Sequence, residues 1–476
     1  MKRLLTIGVL AALTTLGLPP GSSSLAHADT ADRVARAAET LRERALQSSE
    51  AYALVTALTT EVGPRAAGTS GDAAAVAWSR ATLSRLGFSA IRTPEVIVPR
   101  WIRGEASFEV LAPYPQPMPS LAIGGSIGTS DEGLSGELVM VENIAALQAL
   151  PAGAVKGKVV FFNGRMERTR DTSGYSKAVR ARTDGPSAAA SLGATGVVLR
   201  SIGTSRNRFP HTGTLSYNIS APRIPALAIS TPDADTLERQ FATGRPVVAR
   251  MRITARDLPQ ARSANVIADI PGTDLANEIV LIGAHLDSWD AGTGALYEGA
   301  GVAIAIAAAR LAAGMEPRPR RTLRVVLFAN EEFGLSGANS YPGDEGPASV
   351  ERHVLAMEAD LGAGPVFRLS AQVAETNWPL IERMHRLVAP LGVELGGNKA
   401  AGGADLGPLR RRGVPVLAPE LDATRYFDVH HTANDTLDQV DPAALRQSVA
   451  VFAVSAYLAA MEDGPMARLP VDPAAR

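Results

Sequence analysis

Acidic residues and histidines follow three apolar segments of the chain, each at the point where the segment ends. His285 and Asp287 come after "EIVLIGA", Glu331 and Glu332 after "RVVLFAN", and Asp360 after "HVLAMEA". A charged side chain at the end of a buried strand must be paired or must bind a metal, because burying it alone is costly. Several such residues, from separate strands that meet at one edge of a sheet, therefore predict a metal site.

Taken one at a time, these residues also allow structural explanations. His285 could be an ordinary buried histidine, Asp287 could cap the next turn, and Asp360 could be a turn residue. The acidic pair at 331–332 could open a helix, where negative charge interacts favourably with the helix dipole. The stretch "HHTANDT" at 430–436 could be an exposed loop. The joint placement of these residues after successive strands favours a metal site over the separate explanations.

The chain has no cysteine, which restricts the chemistry of any metal site. Histidine and carboxylate are the ligands that zinc accepts when no thiolate is present, and a catalytic zinc keeps one position open. Residues two apart in a strand face the same way, so Asp287 could bond the outer nitrogen of His285 and fix its tautomer. Of two adjacent glutamates, one could bind metal while the other acts as general base. Two metals would need a carboxylate shared between them.

The elements that must position these residues lie mainly after residue 264. Apolar strands such as "EIVLIGAHLD" and "VPVLAPELD" alternate there with helical segments such as "AGVAIAIAAARLAAG". Strands that are apolar throughout predict a mostly parallel sheet with helices on both faces, and hence an α/β fold. Ligands of such sheets bind beyond the carboxyl ends of the strands, which is where the polar residues fall.

The rest of the chain divides into further parts. Residues 1–28 combine a basic start, a short apolar run and "AHA", which predicts a signal peptide cleaved after Ala28 and a secreted or periplasmic protein. Residues 29–119 and 258–476 are predicted to form the main domain. Between them, residues 120–257 have short strands separated by glycine and proline, which predicts an inserted, smaller β-rich or mixed domain.

The composition narrows the class of partner. A chain of 476 residues with 46% hydrophobic and 20% charged residues is typical of a soluble globular protein with two or three domains. The formal net charge of −1 argues against a nucleic-acid partner, which normally requires clustered Lys and Arg. After the first thirty residues, the pattern gives no indication of a membrane-binding helix.

Several stretches resemble the motifs of carboxypeptidase Q-like secreted zinc peptidases, within the family of co-catalytic zinc aminopeptidases and glutamate carboxypeptidases. The family's "GHLDSWD" stands here as "GAHLDSWD", "AEEQG" as "NEEFG", "MESDAG" as "MEADLG", and "HHSHGDT" as "HHTANDT". The likeness includes "EVGPRAAGTSG", "GKVVFFN" and "RFPHTGTL", and covers nearly the whole chain after the signal peptide. It implies a zinc exopeptidase fold in which the inserted unit is a protease-associated domain.

The resemblance also implies roles for individual residues. One zinc would be held by His285 and Asp360, and a second by Glu332 and His431. Glu331 would be the general base. Asp287 is a second catalytic candidate, through its bond to the first histidine. The implied activity is the hydrolysis of dipeptides or short peptides.

The shared carboxylate is the position at which this chain departs from the family. The family's "GAMDDGGG" stands here as "GALYEGAG", so Tyr297 replaces the bridging aspartate and Glu298 replaces its neighbour. A phenol, with a pKa of about 10, is a poor zinc ligand. One hypothesis is that Glu298, which is one methylene longer than aspartate, supplies the bridge to two zinc ions. The other is that the site holds one zinc or none, and that a catalytically impaired chain acts as a binding or scaffold protein.

Candidate substrate contacts come from segments that precede the last proposed ligand. Asp405 and Tyr426 are predicted to bind substrate, although Asp405 could equally be a helix cap. His211, in "RFPHTG", matches a family position but is expected in a surface loop. The resemblance implies a homodimer and small peptides as substrates.

Overall fold

We describe the protein from a computed structural model, which covers residues 22–472, with the side chains of residues 30–346 and 348–472. The predicted signal peptide, residues 1–28, therefore lies outside the part of the chain whose side chains are described. Fourteen α-helices and eighteen β-strands are found in this part of the chain, and the strands form two large sheets and a two-stranded ribbon.

Two of the helices, Ala300–Ala313 and Pro442–Met461, are apolar and buried along most of their length. In chain order they are α1 (Ser22–Gln47), α2 (Glu50–Glu61), α3 (Ser70–Arg85), α4 (Ile144–Gln148), α5 (Ser173–Ala178), α6 (Arg180–Thr183), α7 (Gly185–Ser191), α8 (Thr231–Phe241), α9 (Ala300–Ala313), α10 (Ser336–Glu345), α11 (Pro347–Val350), α12 (Trp378–Val388), α13 (Gly407–Arg411) and α14 (Pro442–Met461). A π-helical turn, Ala295–Gly299, leads directly into α9.

The strands are short, and those nearest the candidate site are buried along most of their length. They are β1 (Ser89–Arg92), β2 (Glu95–Ile102), β3 (Ala106–Ala112), β4 (Gln116–Met118), β5 (Ser120–Ala122), β6 (Leu134–Val141), β7 (Val159–Phe162), β8 (Gly196–Arg200), β9 (Ala226–Ile229), β10 (Val248–Ile253), β11 (Arg256–Ala264), β12 (Val266–Ile270), β13 (Leu275–His285), β14 (Arg321–Phe328), β15 (His353–Glu358), β16 (Val366–Gln372), β17 (Glu394–Leu395) and β18 (Val416–Leu421).

The main sheet is parallel through its centre and largely antiparallel toward its edges. Its order is β1-β12-β14-β13-β15-β18-β16-β17, and β14, β13, β15 and β18 run parallel. The register pairs His285 with Phe328, and Gly283 with Glu358, so three strands end at nearly the same level. Helices α1, α2, α9 and α14 contribute to the core on one face, and α10 and α13 cover the other. The predicted α/β fold, with helices on both faces, is confirmed.

Two apolar helical segments of the main sheet's core have the length and composition of a membrane span. They are Ala295–Ala313 and Pro442–Met461, of which 89% and 83% are buried inside the protein. Helices α9 and α14 pack against each other. Their apolar surface is therefore used in the core of the protein, as in a buried core helix.

The second sheet has the order β4-β3-β10-β6-β7-β8-β9-β5, with β6 to β9 parallel. Strands β3 and β4 belong to it, because β3 pairs with both β10 and β4. This sheet thus begins at Ala106, earlier than the boundary predicted at residue 120. Its identification as an inserted protease-associated domain stays a prediction, and we call residues 106–253 the second unit.

Candidate metal centre

His285, the last residue of β13, lies at the centre of the first group of candidate ligands. Its Nε2 is 3.3 Å from Asp360 Oδ1 and 3.5 Å from Glu298 Oε1. Asp360 follows β15, and Glu298 lies in the π-helical turn before α9. The ends of two strands and a π-helical turn thus bring one imidazole and two carboxylates together, and we call these three side chains the first half-site.

Glu332 and His431 form a second group, which we call the second half-site. His431 Nε2 is 3.0 Å from Glu332 Oε1, and the side chains of both residues are at least 93% buried. The ring of His430 stacks on His431 with centroids 3.5 Å apart. His431 has a φ of 60°, in the left-handed region that residues other than glycine rarely adopt. Strain of this kind is common where the surrounding structure fixes a functional side chain.

Asp287 connects β13 to the turn that carries the adjacent glutamates. Its Oδ1 lies 3.5 Å from His285 Nδ1 and accepts a hydrogen bond from the backbone N–H of Glu331 at 3.0 Å. Its Oδ2 accepts from the N–H of Glu332 at 3.3 Å. The glutamates lie in a turn, and α10 begins only at Ser336, so they do not open a helix. The alternative that explained this pair by a helix dipole is wrong.

The segment that carries Tyr297 and Glu298 is held by two buried residues. Asp435 Oδ1 accepts hydrogen bonds from the backbone N–H groups of Leu296 and Tyr297. The fully buried Arg65 donates to the carbonyl oxygens of Leu286, Thr293 and Gly294, on the loop that leads into the π-helical turn. Sequence reasoning assigned no role to Arg65, although it lies within "EVGPRAAGTSG", one of the stretches that carried the resemblance.

Tyr297 lies between the two half-sites. Its ring centroid is 5.4 Å from that of His285, 4.8 Å from that of His431 and 4.7 Å from that of His430. Glu298 and Tyr297 therefore lie against different parts of the metal centre. Glu298 brings a carboxylate to the first half-site, and Tyr297 brings an aromatic ring to the space beside the second.

Burial of so many carboxyl groups changes their acidity. Burial raises the pKa of Glu332 to about 8, and it raises the pKa of Glu298 and Glu331 well above the ordinary range. Burial acts to lower the pKa of His285, but the neighbouring carboxylates outweigh it, and the pKa of His285 is raised. A cation bound among these groups would replace protons that they otherwise hold.

Two donor–donor distances in the first half-site match those around a tetrahedral metal ion. Zinc bonds of 2.0–2.2 Å at tetrahedral angles place neighbouring donor atoms about 3.3–3.5 Å apart, and the two distances from His285 Nε2 are 3.3 and 3.5 Å. Glu298 Oε1, Asp360 Oδ1 and both ring nitrogens of His285 are buried without a hydrogen bond. Among residues 22–472, no three His, Asp or Glu side chains are already placed to hold a metal, so binding would have to draw these side chains together.

The two predicted substrate contacts differ in their surroundings. Asp405 is fully buried, and its backbone N–H donates to Glu358 Oε1. Its carboxylate does not cap α13, whose first turn has Leu406 at the N-cap without a side-chain bond, so the helix-cap alternative is wrong. The ring of Tyr426 packs 5.7 Å from that of Tyr297, and Tyr426 lines a cavity of about 630 Å³. Their roles in substrate binding stay predictions.

The second unit also contributes to this region, which sequence reasoning missed. His211 is only 2% exposed, so its prediction as a surface-loop residue is wrong. The N–H of the next residue, Thr212, donates to the carbonyl oxygen of His431 at 2.9 Å. Tyr175 stacks on Phe427 with centroids 4.7 Å apart. No motif in the sequence indicated that these residues lie beside the candidate ligands.

Comparisons with known proteins identify the family of this chain. Residues 265–456 match the model of peptidase family M28. Carboxypeptidase Q from Mus musculus is 32% identical over 435 residues, which cover 91% of each chain. The crystal structure of a peptidase M28 precursor from Shewanella amazonensis is 44% identical, with a TM-score of 0.90, over 92% of this chain and 99% of that one.

A more distant structure shares the fold. A zinc aminopeptidase from Bacillus subtilis is 19% identical, with a TM-score of 0.61, over 86% of this chain and 94% of that one. The identity to carboxypeptidase Q over most of both chains, together with the family match over the part that carries the candidate ligands, establishes the family. The chain belongs to peptidase family M28 and is a metallopeptidase.

Proposed function

We propose that this protein is a zinc exopeptidase that hydrolyses dipeptides or short peptides and holds one zinc ion per chain. The zinc ligands are His285, Glu298 and Asp360, and Glu331 is the general base. The observation that carries the proposal is the position of His285 Nε2, 3.3 Å and 3.5 Å from two buried carboxylate oxygens. That set of three donors leaves one tetrahedral position open, as catalytic zinc requires.

A zinc ion at such a site supplies a Lewis acid that polarises a carbonyl group and makes water more acidic. Positioning and proton transfer are assigned to protein side chains. Asp287, whose Oδ1 lies 3.5 Å from His285 Nδ1, accepts a hydrogen bond from the N–H of Glu331 and so holds the general base in place. Glu331 accepts a proton from the attacking water and delivers it to the leaving amine, and a raised pKa suits this double role near neutral pH.

The proposal of one zinc rather than two rests on the second half-site. Glu332 and His431 bring two donors, and they face each other at 3.0 Å. The neighbouring Tyr297 is a phenol, and burial raises its pKa well above 10, so it stays neutral and is a poor zinc ligand. The carboxylate of Glu298 faces His285 and is assigned to the first half-site.

The substrate class follows from the relatives. The names of the relatives include carboxypeptidase Q and aminopeptidase, which both remove residues from the ends of peptides. Tyr426 and Asp405 are our candidates for contacts with the substrate, Tyr426 because its ring lies 5.7 Å from that of Tyr297 and the residue also lines a cavity. We further propose that residues 1–28 direct export and are removed after Ala28.

The test combines metal analysis with a substrate panel. The mature protein, beginning at Asp29, is purified without chelator, dialysed, and measured for zinc per chain and for hydrolysis of a dipeptide panel. One zinc per chain with hydrolysis of at least one dipeptide supports the proposal, and two zinc ions would contradict the assignment of the half-sites. Less than one zinc with no hydrolysis would favour the alternative suggested by Tyr297, a catalytically impaired protein that binds peptides.

A further inference from the structure

We infer that the second unit holds a binding site for acidic peptides, in a cavity of about 640 Å³ that includes no residue of either half-site. Four arginines line this cavity: Arg165, Arg168, Arg200 and Arg206. Asp235 is the one acidic residue among the described residues that line it. The inference goes beyond the proposed function, because it concerns a second site and does not depend on how many zinc ions the protein holds.

The cavity lies beyond the carboxyl ends of three neighbouring parallel strands, β7, β8 and β9. The segment after β7 contributes Arg165 and Arg168. Arg200 is the last residue of β8, and Arg206 follows it in the next loop. Thr231, the first residue of α8, comes shortly after β9. Ligands of open α/β sheets bind outside the carboxyl ends of the strands, where such loops converge, so the cavity has the position of a binding site.

Two of the arginines are held in place by shared carboxylates. Arg165 and Arg200 both pair with Asp235, each at 2.8 Å. They also both pair with Glu238, at 2.6 and 3.4 Å. Burial lowers the pKa of Arg200, and the charge of Arg165 acts in the same direction. An anion in the cavity would therefore offset the repulsion between two cations whose places are already fixed.

Arg206 carries the positive charge that is left unpaired. Arg168 donates hydrogen bonds of 3.0 and 2.6 Å to the two carboxylate oxygens of Asp428, so its charge is neutralised. Arg206 is exposed, and no described side chain pairs with it. Four guanidinium groups thus face three carboxylates. The excess charge lies on a side chain whose five N–H donors are all free to bind a ligand.

A peptide with carboxylate side chains is the ligand that fits this cavity. A guanidinium group binds a carboxylate through two parallel N–H donors, and such charged hydrogen bonds are stronger than neutral ones. A volume of about 640 Å³ lies within the usual range for small-ligand sites and is much larger than a single phosphate requires. The formal net charge of −1 does not favour a nucleic acid. Peptides, in contrast, are the substrates of a peptidase.

The first test measures the binding of a peptide that is not an exopeptidase substrate. Acetyl-Glu-Glu-Glu-amide has both ends blocked and keeps its side-chain carboxylates, and acetyl-Gln-Gln-Gln-amide has nearly the same shape without charge. In calorimetry on the mature protein, we expect the Glu peptide to bind at least about 10-fold more tightly, the effect of one charged hydrogen bond. An increase in ionic strength from about 0.1 to about 1 M should weaken its binding. Equal affinities for the two peptides would overturn the inference.

The second test compares Arg206→Ala with Arg239→Ala. Arg239 is the matched control because it is another exposed arginine of the second unit, lies on α8 outside the cavity lining and donates a hydrogen bond to Thr236. We expect Arg206→Ala to weaken binding of the Glu peptide by about 10-fold, and Arg239→Ala to leave it close to that of the wild type. Neither arginine forms an ion pair with a described side chain, so both variants should melt near the wild-type temperature. Equal affinities for the two variants would contradict the inference.

Two further measurements separate this cavity from the metal centre and from a site for small anions. Removal of metal with a chelator should leave binding of the Glu peptide unchanged, and loss of binding would place the peptide at the metal centre and overturn the inference. Inorganic phosphate should bind more weakly than the Glu peptide. Arg206-dependent binding of phosphate that is tighter than that of the peptide would overturn the choice of ligand. If the protein hydrolyses no dipeptide and still binds the Glu peptide through Arg206, the proposed function fails and the inference stands.

Discussion

The two half-sites of the metal centre differ in how completely they are built. In the first, three donors come from β13, the π-helical turn and the residue pair after β15, and two carboxylate oxygens lie within 3.5 Å of one imidazole nitrogen. In the second, one histidine and one glutamate face each other at 3.0 Å, with an aromatic ring beside them. In our proposal the two half-sites are therefore unequal, because the carboxylate of Glu298 is assigned to the first and none is added to the second.

The half-sites also differ in what holds them. His285 and Asp360 follow neighbouring parallel strands, so the ladder of the sheet fixes them relative to each other. His431 lies in a loop with left-handed backbone, and its carbonyl oxygen is bound by the second unit. The first half-site therefore takes two of its side chains from the main sheet and the third from the π-helical turn that Arg65 and Asp435 hold, whereas the second depends on the contact between two parts of the molecule.

The largest difference in kcat is expected between variants of two adjacent residues, Glu331 and Glu332. Glu331→Gln removes the proposed general base, so kcat should fall by about 100- to 10,000-fold while zinc per chain stays at one. Glu332→Gln changes the second half-site, so zinc per chain should also stay at one, and its loss of kcat should be much smaller. Stopped or continuous dipeptide assays and metal analysis on both variants check this. A greater loss for Glu332→Gln would reverse the assignment of the two glutamates.

Part of the fold and of the candidate metal centre could be predicted from the sequence. The alternation of apolar strands with helices predicted the α/β sheet, and the polar residues after those strands predicted where the candidate ligands would gather. The direction of Glu298 could not be predicted, because it depends on a π-helical turn that Arg65 and Asp435 hold from distant parts of the chain. A sequence pattern with periods of 2 or 3.6 contains no information on such a turn.

The contacts between the second unit and the loop that carries His431 could not be predicted from the sequence either, for a similar reason. Tyr175 and His211 lie more than 200 residues before the loop they contact. His211 was expected at the surface because its neighbours, in "RFPHTG", have the composition of a loop. Its burial results from packing between two units, which local composition does not reveal.

The second comparison exchanges one histidine in each half-site. His285→Ala removes a proposed ligand from the first half-site. Mutation of a residue that only hydrogen-bonds to a metal ligand weakens metal binding by up to about 100-fold, so the zinc dissociation constant of His285→Ala should rise by more than that. His431→Ala should leave one zinc per chain, because its half-site is proposed to hold none. Competition with a chromophoric chelator measures both constants. Loss of zinc in both variants to the same degree would indicate that the two half-sites share the metal.

The third comparison attempts to make the half-sites equal. Tyr297→Asp restores a carboxylate where the aromatic ring now lies 4.8 Å from His431, and zinc per chain should rise from one to two. Tyr297→Phe is the control, since it keeps the ring and removes only the hydroxyl, and it should stay at one. Cobalt substitution gives an independent measurement, because two neighbouring cobalt ions couple magnetically. A stoichiometry of one in Tyr297→Asp would show that more than the bridge separates the half-sites.

The smallest effect concerns the metal-free protein and pH. Burial raises the pKa of Glu332 from 4.5 to about 8. A carboxyl group with a higher pKa in the folded than in the unfolded chain stabilises the fold at low pH, and this contribution is lost as pH rises through the folded value. After removal of metal with a chelator, the melting temperature should therefore fall between pH 6 and pH 9, by at least about 3 °C, the shift that ~1 kcal/mol causes in a large domain.

The same melting curves distinguish the half-sites. Glu332→Gln should reduce the fall in melting temperature as pH rises. Glu137→Gln, which changes an exposed carboxylate paired with Lys158, should leave that fall unchanged. In the zinc-loaded protein, the part of the fall in melting temperature that is due to Glu332 should remain, because the metal is proposed to lie in the first half-site. If zinc abolishes the whole pH dependence, then Glu332 is deprotonated by the metal, and the second half-site takes part in binding it.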